Sequence, residues 1–206
     1  GFGNTDTLTS IEYVEGTNSA DSLTGGQSAA TDDVDFELFF GLGGNDTING
    51  GSGHDRVSYY LDYSFGGTAG VTVNLSTGTA TDGFGNTDTL SNIEQVEGTY
   101  TSDTLTGSSN NETFLGMGGN DTITGGSGTN DRVSYHHDNS HTGSSGVTVN
   151  LATGTATDGF GNTDTLSGIE NIRGTYTSDT LTGDTGDNDF AGLAGNDTIN
   201  GGSDLT

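Results

Sequence analysis

Aspartate and asparagine recur at fixed places in the glycine-rich segments of this sequence, and their oxygen atoms could bind a hard cation. The clearest segments are GGND at 43–46, GGND at 118–121 and AGND at 194–197. Carbonyl oxygens of the glycine-rich turns can complete a coordination shell that carboxylates begin. The candidate metal ligands are Asp21, Gly43, Asn45, Asp46, Asp55, Asp103, Gly118, Asn120, Asp121, Asp131, Asp179, Asn196 and Asp197.

The spacing of these residues predicts that they stack on one another. GFGNTDTL begins at Gly1, Gly83 and Gly159, which divides the chain into units 1–82 and 83–158 and a partial unit 159–206. Inside each unit, glycines begin successive nine-residue segments whose eighth residue is always apolar. One apolar residue in nine predicts a very short strand followed by a turn, so each segment is half a coil.

Such a chain predicts an all-β fold, a parallel β-roll or β-solenoid with two sheets and turns along both edges. Neighbouring coils lie about 4.8 Å apart, so turn residues 18 positions apart sit above one another. This places Asp103 over Asp121 and Asp179 over Asp197, and it groups Asp21 with Asp46. The opposite edge pairs Glu112 with Asp131, Glu37 with Asp55, and gives Asn188 the place of Glu112. The alternating residues Val71, Val73 and Leu75, and their counterparts at 147–151, predict one longer half-buried strand.

The charge composition indicates that the partner is a cation. The net charge is −26 with three Lys and Arg in all, which argues against nucleic acid and anionic membranes. Stacked carboxylates repel one another by about 1 kcal/mol per pair even in bulk water. Several Ca²⁺ ions suit Asp and carbonyl oxygens better than Mg²⁺, and Zn²⁺ would require His or Cys at the repeated positions. Calcium would therefore order a chain whose 27% hydrophobic content otherwise predicts disorder.

The segments GLGGNDTINGGSGHD, GMGGNDTITGGSGTND and GLAGNDTINGGS resemble the calcium-binding nonapeptides of RTX proteins. The framework GVTVNL, TGTATDGFGNTDTL and DTLTG also resembles segments that precede such nonapeptides in large secreted bacterial proteins. The resemblance covers essentially the whole chain. It implies a right-handed parallel β-roll, calcium between successive turns, type I secretion and folding in extracellular fluid. The turns GTYTSD and GTNSAD lack the inner glycines, so we expect strong sites separated by weaker ones.

We therefore expect a calcium-binding structural or adhesive repeat region of a secreted or cell-surface bacterial protein. The sequence begins and ends inside a repeat, so we expect a piece of something longer, with possible self-association or matrix partners. No His recurs beside Ser and Asp and no nucleophile turn appears, so the expectation is that the chain is not an enzyme. The alternatives are an accessory module of a secreted protease, lipase or epimerase, and a solenoid that binds ice or polysaccharide. Threonines of DTLTG and DTITG form a partial outward ladder for the latter, which Asn49 and Asn200 interrupt.

Three groups of residues allow more than one interpretation. Segments 82–88 and 158–164, DGFGNTD, could form a second kind of calcium site or a tight connection into the roll. For Glu37, Glu94, Glu112 and Glu170, a solvated turn residue is favoured over a calcium ligand. His136, His137 and His141 have no counterpart in the first unit, which favours a variable surface loop over a zinc or nickel site. His54 is interpreted as a solitary turn residue.

Overall fold

The computed structural model describes residues 12–26 and 37–202, which form almost nothing but short strands and turns. Two helical segments occur in this part of the chain, an α-helical turn α1 (Asp62–Phe65) and a 3₁₀ turn (Asp138–His141). Neither is long or apolar enough to cross a membrane. The strands are β1 (Tyr13–Glu15), β2 (Ser22–Thr24), β3 (Glu37–Phe40), β4 (Thr47–Asn49), β5 (Asp55–Ser58), β6 (Thr72–Asn74), β7 (Thr79–Thr81), β8 (Thr87–Ser91), β9 (Gln95–Glu97), β10 (Thr104–Thr106), β11 (Thr113–Leu115), β12 (Thr122–Thr124), β13 (Arg132–Ser134), β14 (Thr148–Asn150), β15 (Thr155–Thr157), β16 (Thr163–Ser167), β17 (Asn171–Arg173), β18 (Thr180–Thr182), β19 (Asp189–Ala191) and β20 (Thr198–Asn200).

The strands form two sheets, as the nine-residue period predicts. One sheet has eight strands in the order β1-β3-β5-β9-β11-β13-β17-β19, and all of its pairings are parallel. The other has twelve strands in the order β2-β4-β8-β7-β6-β10-β12-β16-β15-β14-β18-β20. Successive half-coils alternate between the sheets, so Leu105 pairs with Ile123 in one and Phe114 with Val133 in the other. The predicted parallel β-roll is confirmed.

The expectation of one longer strand at 71–75 is wrong. The segment contains the three-residue strand β6, which pairs antiparallel with β7, and β7 pairs antiparallel with β8. The chain reverses because the Asn74 side chain accepts a hydrogen bond from the Thr77 N–H and Gly78 has a φ of 65°. The strands β14, β15 and β16 repeat this meander. A small antiparallel meander therefore interrupts the otherwise parallel sheet at each of the two unit boundaries.

The apolar residue at position eight of each segment fills the space between the two sheets. Leu105, Phe114 and Ile123 are each 0% exposed, whereas Ile199 in the last described strand is 48% exposed. Because each half-coil buries one such side chain, the core is a single row of contacts along the roll. Burying each side chain stabilises the fold by roughly 1.5–3 kcal/mol. The buried members of this row are Phe39, Ile48, Val57, Val96, Leu105, Phe114, Ile123, Val133, Ile172 and Leu181.

The loops that follow β5 and β13 connect the eight-stranded sheet to the meanders. The first contains α1 and the second contains the 3₁₀ turn. The turn after β7 carries Phe84, whose ring lies against Gly43, where an added Cβ would be 3.2 Å from its Cγ. The predicted unit boundaries at 82/83 and 158/159 fall within the β7–β8 and β15–β16 connections, and the units themselves stay a sequence-level prediction.

Candidate metal centres

Aspartates form a column along one edge of the roll. In this column the carboxylate of one aspartate accepts a hydrogen bond from the backbone N–H of the next. The Asp103 N–H donates to Asp121 Oδ1 at 2.9 Å, and the Asp121 N–H donates to Asp164 Oδ1 at 3.1 Å. The Asp179 N–H donates in the same way to Asp197 Oδ1 at 3.0 Å. The structure therefore brings together the aspartates that the 18-residue spacing groups, and it adds Asp164 to them.

Asp21, Asp46 and Asp88 form the same kind of column, although the first unit has a longer second segment. The Asp21 N–H donates to Asp46 Oδ1 at 2.8 Å, and the Asp46 N–H donates to Asp88 Oδ1 at 3.0 Å. Part of the additional length, residues 27–36, lies outside the described residues. The contact between Asp21 and Asp46 is thus the same as that between Asp103 and Asp121.

The opposite edge carries a second acidic column that includes glutamates. The Glu112 N–H donates to Asp131 Oδ1 at 2.7 Å, and the Asp131 N–H donates to Glu170 Oε2 at 2.9 Å. The Asp55 N–H donates to Glu94 Oε2 at 3.0 Å. Interpreting Glu112 as a solvated turn residue is wrong, because this side chain is buried at 2% exposure. Its two oxygens accept hydrogen bonds from the Ser108 N–H and hydroxyl.

Several buried carboxylate oxygens in the described part of the chain have no hydrogen-bond partner. A buried anionic oxygen without a partner is costly, because desolvation removes its interactions with water and nothing replaces them. A hard cation would satisfy these oxygens, which is the behaviour expected of calcium ligands. The atoms are Oδ2 of Asp46, both oxygens of Asp55, Oδ1 of Asp62, Oδ2 of Asp121 and Oδ2 of Asp131.

The glycine that begins each segment provides the space for the carboxylate at position six. A Cβ added to Gly116 would collide with Asp121 Oδ2, and a Cβ added to Gly41 would collide with Asp46 Oδ2. Each of these oxygens is among those that lack a hydrogen-bond partner. The repeated glycine therefore leaves room for the side chain of a candidate metal ligand, in addition to allowing the backbone turn.

The predicted asparagine and glycine ligands have other contacts. The side-chain oxygen of Asn45 accepts a hydrogen bond from the Thr87 N–H at 2.9 Å, and that of Asn120 accepts one from the Thr163 N–H at 2.9 Å. Asn196 is exposed next to Asp197. The amide oxygens of Asn45 and Asn120 thus connect neighbouring coils, and the aspartates stay the main candidate ligands. Gly43 and the corresponding Gly118 are buried in their turns.

Segment 82–88 combines the two interpretations that the sequence allows, a tight connection and a candidate calcium site. Asp82 accepts hydrogen bonds from the Phe84 N–H, the Asn86 N–H and the Asn86 side chain, as expected for a tight connection. Asp88 instead lies in the acidic column, where it accepts the Asp46 N–H, and its other oxygen accepts the Tyr59 hydroxyl at 3.2 Å. Asp158 and Asp164 repeat these two arrangements.

Asp62 and Asp138 are candidate ligands that the sequence interpretation missed. Asp62 is 1% exposed and accepts the Gly83 N–H at 2.8 Å through Oδ2, while its Oδ1 has no partner. Asp138 is equally buried and accepts the Gly159 N–H at 2.8 Å. Each follows the aspartate of the DRVSY segment by seven positions, Asp55 or Asp131. This recurrence in two otherwise dissimilar loops was the available signal.

The buried carboxyls hold protons more tightly than ordinary aspartates. Burial is the main cause, and neighbouring carboxylates add to it, raising the pKa of Asp121 to about 9 and that of Asp138 to about 8. The same causes, partly offset by hydrogen bonds from the backbone, raise the pKa of Asp62 and of Asp88 to about 7. A bound cation would oppose these effects by stabilising the ionised form.

Two histidines of the second unit, His137 and His141, pack against the roll and are not fully solvated. His137 and His141 are half-buried and lie beside the buried Glu97, with one potential ligand atom of each residue within 4.8 Å of the others. Such a group differs in chemistry from the acidic columns, because imidazole nitrogen is a poor ligand for calcium.

Comparison with known proteins agrees with this geometry. The family model of the RTX calcium-binding nonapeptide repeat matches residues 35–59, 97–131 and 173–204. These segments contain the position-six aspartates Asp46, Asp121 and Asp197, together with Asp103 and Asp179. No curated protein matches the chain.

Proposed function

We propose, on the premise that this chain is an RTX repeat protein that binds calcium at several sites, that calcium controls whether the repeat region is ordered. In this proposal the chain serves as a structural or adhesive region of a secreted or cell-surface bacterial protein. It positions and spaces other parts of that protein and performs no catalysis.

The observation that carries the proposal is the set of buried carboxylate oxygens without partners. Asp46 and Asp121 would hold calcium on one edge, with Asp21, Asp103, Asp179 and Asp197 in the same column. Asp55 and Asp131 would do so on the other edge. Calcium supplies positive charge and accepts six to eight oxygens in a flexible arrangement, so turn carbonyls can complete each shell.

The loop aspartates extend calcium control to the meanders. Asp62 joins α1 to the turn at Gly83, and Asp88 joins the meander to Asp46 in the roll. A calcium ion held by these carboxylates would order the loop, the meander and the roll together. The corresponding residues Asp138, Asp164 and Asp121 offer the same set.

Calcium dependence supports an extracellular location. Extracellular calcium-binding modules typically have dissociation constants of about 10⁻⁴ to 10⁻³ M, well above the range of cytosolic calcium sensors. A chain with a net charge of −26 that needs many such ions would stay unfolded where calcium is scarce and fold where it is abundant. RTX proteins are typically secreted, and we propose the same for this chain.

Circular dichroism with and without calcium tests the proposal. We expect a disordered spectrum in chelator at neutral pH and a β-sheet spectrum at millimolar calcium, with compaction by small-angle scattering over the same range. Magnesium at the same concentration is the control and is expected to have little effect. A chain that is equally rich in β-structure in chelator would refute calcium-controlled ordering.

A second candidate function, binding to ice or polysaccharide, is favoured by the threonines of the twelve-stranded sheet. The register pairs Thr72 with Thr104, Thr104 with Thr122, and Thr122 with Thr165, and all four are exposed. Asn49 and Asn200 lie two residues further along their strands, so they interrupt a neighbouring row of side chains and not this row of threonines. Replacing Thr104 and Thr122 by lysine should abolish ice recrystallisation inhibition or glycan-array binding if this face is functional.

A further inference from the structure

The cluster of Glu97, His137 and His141 lies apart from the acidic columns. Glu97 is at the end of β9, His137 follows β13, and His141 ends the 3₁₀ turn. The histidines are about 40 residues from Glu97 in sequence, and the loop after β13 folds back to bring them to it. The three offer one carboxylate oxygen and two imidazole nitrogens within 4.8 Å of one another.

The carboxylate of Glu97 is fixed in place before any metal binds. Glu97 is 1% exposed. Its Oε2 accepts a hydrogen bond from the Ser58 hydroxyl at 2.7 Å and lies 4.0 Å from an Arg56 guanidinium nitrogen. Its Oε1 faces His137 Nδ1 at 2.6 Å. One oxygen is thus held by the sheet, and the other is directed at the histidine loop.

The imidazole of His141 is also held by its surroundings. The Tyr100 hydroxyl lies 2.9 Å from His141 Nδ1, and the ring of Tyr60 packs against the imidazole with centroids 5.0 Å apart. Hydrogen bonds from outer residues orient histidine ligands in metal sites and raise their affinity. The cluster therefore has both a preformed carboxylate and an oriented imidazole.

Comparison of the units shows that the loop does not need these histidines in order to fold. The first unit places Tyr60, Leu61 and Phe65 where the second has His136, His137 and His141. Both loops nevertheless bury the following aspartate and give it the same hydrogen bond from the turn glycine. In the third unit, Arg173 takes the place of Glu97. Carboxylate and histidines come together in the second unit alone among the described residues.

We propose that Glu97, His137 and His141 form a site for one Zn²⁺ ion, which fastens the loop after β13 to the face of the eight-stranded sheet. Two imidazoles and a carboxylate are a common zinc ligand set, with a fourth position left for water. Calcium prefers oxygen ligands, so the two metals would occupy different sites in the same chain.

Titration calorimetry with Zn²⁺ on the untagged, full chain in saturating calcium tests this site. Calcium fills the carboxylate sites, so we expect one zinc ion per chain for the wild type and no measurable binding for His137→Gln, His141→Gln or Glu97→Gln. Co²⁺ should give visible absorption bands characteristic of nitrogen ligation in the wild type only. His136→Gln is the matched control and should bind zinc as the wild type does.

Circular dichroism in calcium distinguishes loss of the site from loss of the fold. Each variant should show the wild-type calcium-induced spectrum, and His141→Gln, a half-buried loop residue, is the variant least expected to disturb the sheet. The proposal is overturned if the wild type binds no zinc in saturating calcium, or if the folded ligand variants bind it as tightly as the wild type. Calcium-dependent folding would be unaffected by either result.

Discussion

The carboxylate at position six and the glycine at position one of each segment depend on each other. Asp121 Oδ2 occupies the space that a side chain at Gly116 would fill, and it has no hydrogen-bond partner. Glu112, by contrast, has both oxygens bonded to Ser108 in its own turn. Two buried acids in one roll therefore differ in their surroundings, since one has an oxygen free for a candidate metal ion and the other bonds to its own turn.

The first prediction concerns this difference. Asp121→Ala should weaken calcium binding at its site on the order of 100-fold, since removing a charged buried partner costs about 3 kcal/mol. Glu112→Ala should have a smaller effect on calcium binding, because it removes hydrogen bonds within a turn. Titration calorimetry on both variants measures this, and an equal or larger loss of calcium affinity in Glu112→Ala would contradict it.

The second prediction concerns the glycine. Gly116→Ala should lower calcium affinity and the calcium-dependent stability of the chain, because the new Cβ would displace the Asp121 carboxylate. Gly201 also begins a nine-residue segment, but a Cβ there would meet nothing within 4 Å. Gly201→Ala is therefore the matched control. Thermal unfolding in calcium should separate the two variants, and similar melting temperatures would argue against the steric explanation.

At the scale of elements, the loops and meanders carry candidate calcium ligands of their own. Asp62 lies in α1 and Asp88 in β8, yet burial and mutual repulsion with the same carboxylates raise the pKa of both to about 7. The meander is attached to the roll at Asp46 through Asp88. In the proposed function the meander therefore takes part in calcium binding and is more than an insertion between calcium-binding segments.

The third prediction tests this role. Asp62→Asn keeps an oxygen for the Gly83 N–H but removes the charge, so we expect one fewer calcium ion and roughly tenfold weaker ordering, which corresponds to about 1.4 kcal/mol. Asp138→Asn should act similarly in the second unit. Asp187→Asn changes the charge equally at an exposed turn and is the control. Unchanged ion stoichiometry in Asp62→Asn and Asp138→Asn would show that the loops bind no calcium.

The elements of the roll could be predicted from the sequence, but those of the inserts could not. The nine-residue period identifies Leu105, Phe114 and Ile123 as core because each half-coil buries the same position. The alternation of Val71 and Val73 fits one long strand as well as a meander, since both bury every second residue. Glu97 and His137 meet only after the loop folds back over the sheet, so local sequence spacing gives no indication of their contact.

At the scale of the whole molecule, the acidic columns make the metal-free fold sensitive to pH. The pKa of Asp46 is raised to about 6, that of Asp131 to about 7 and that of Asp121 to about 9, with burial as the largest cause. Between about pH 4 and these values the folded chain binds more protons than the unfolded chain, whose carboxyls are ordinary. Metal-free stability therefore falls as pH rises.

The fourth prediction follows from this proton uptake. In chelator, the β-sheet signal and resistance to urea should be greatest at acid pH and should be lost as pH rises from about 5 to 9. In calcium the dependence should reverse, because metal and protons compete for the same oxygens and calcium affinity rises with pH. Urea titrations followed by circular dichroism measure both series. A metal-free fold that becomes more stable between pH 5 and pH 8 would contradict the prediction.

The continuous sheets have a mechanical consequence. The twelve-stranded sheet, with neighbouring strands about 4.8 Å apart, is roughly 53 Å long. The whole chain of 206 residues, if fully extended, would reach about 700 Å at about 3.4 Å per residue. If calcium controls folding as proposed, it shortens an extended polyanion more than tenfold, and its concentration would set the distance between two bodies attached to the ends of this segment.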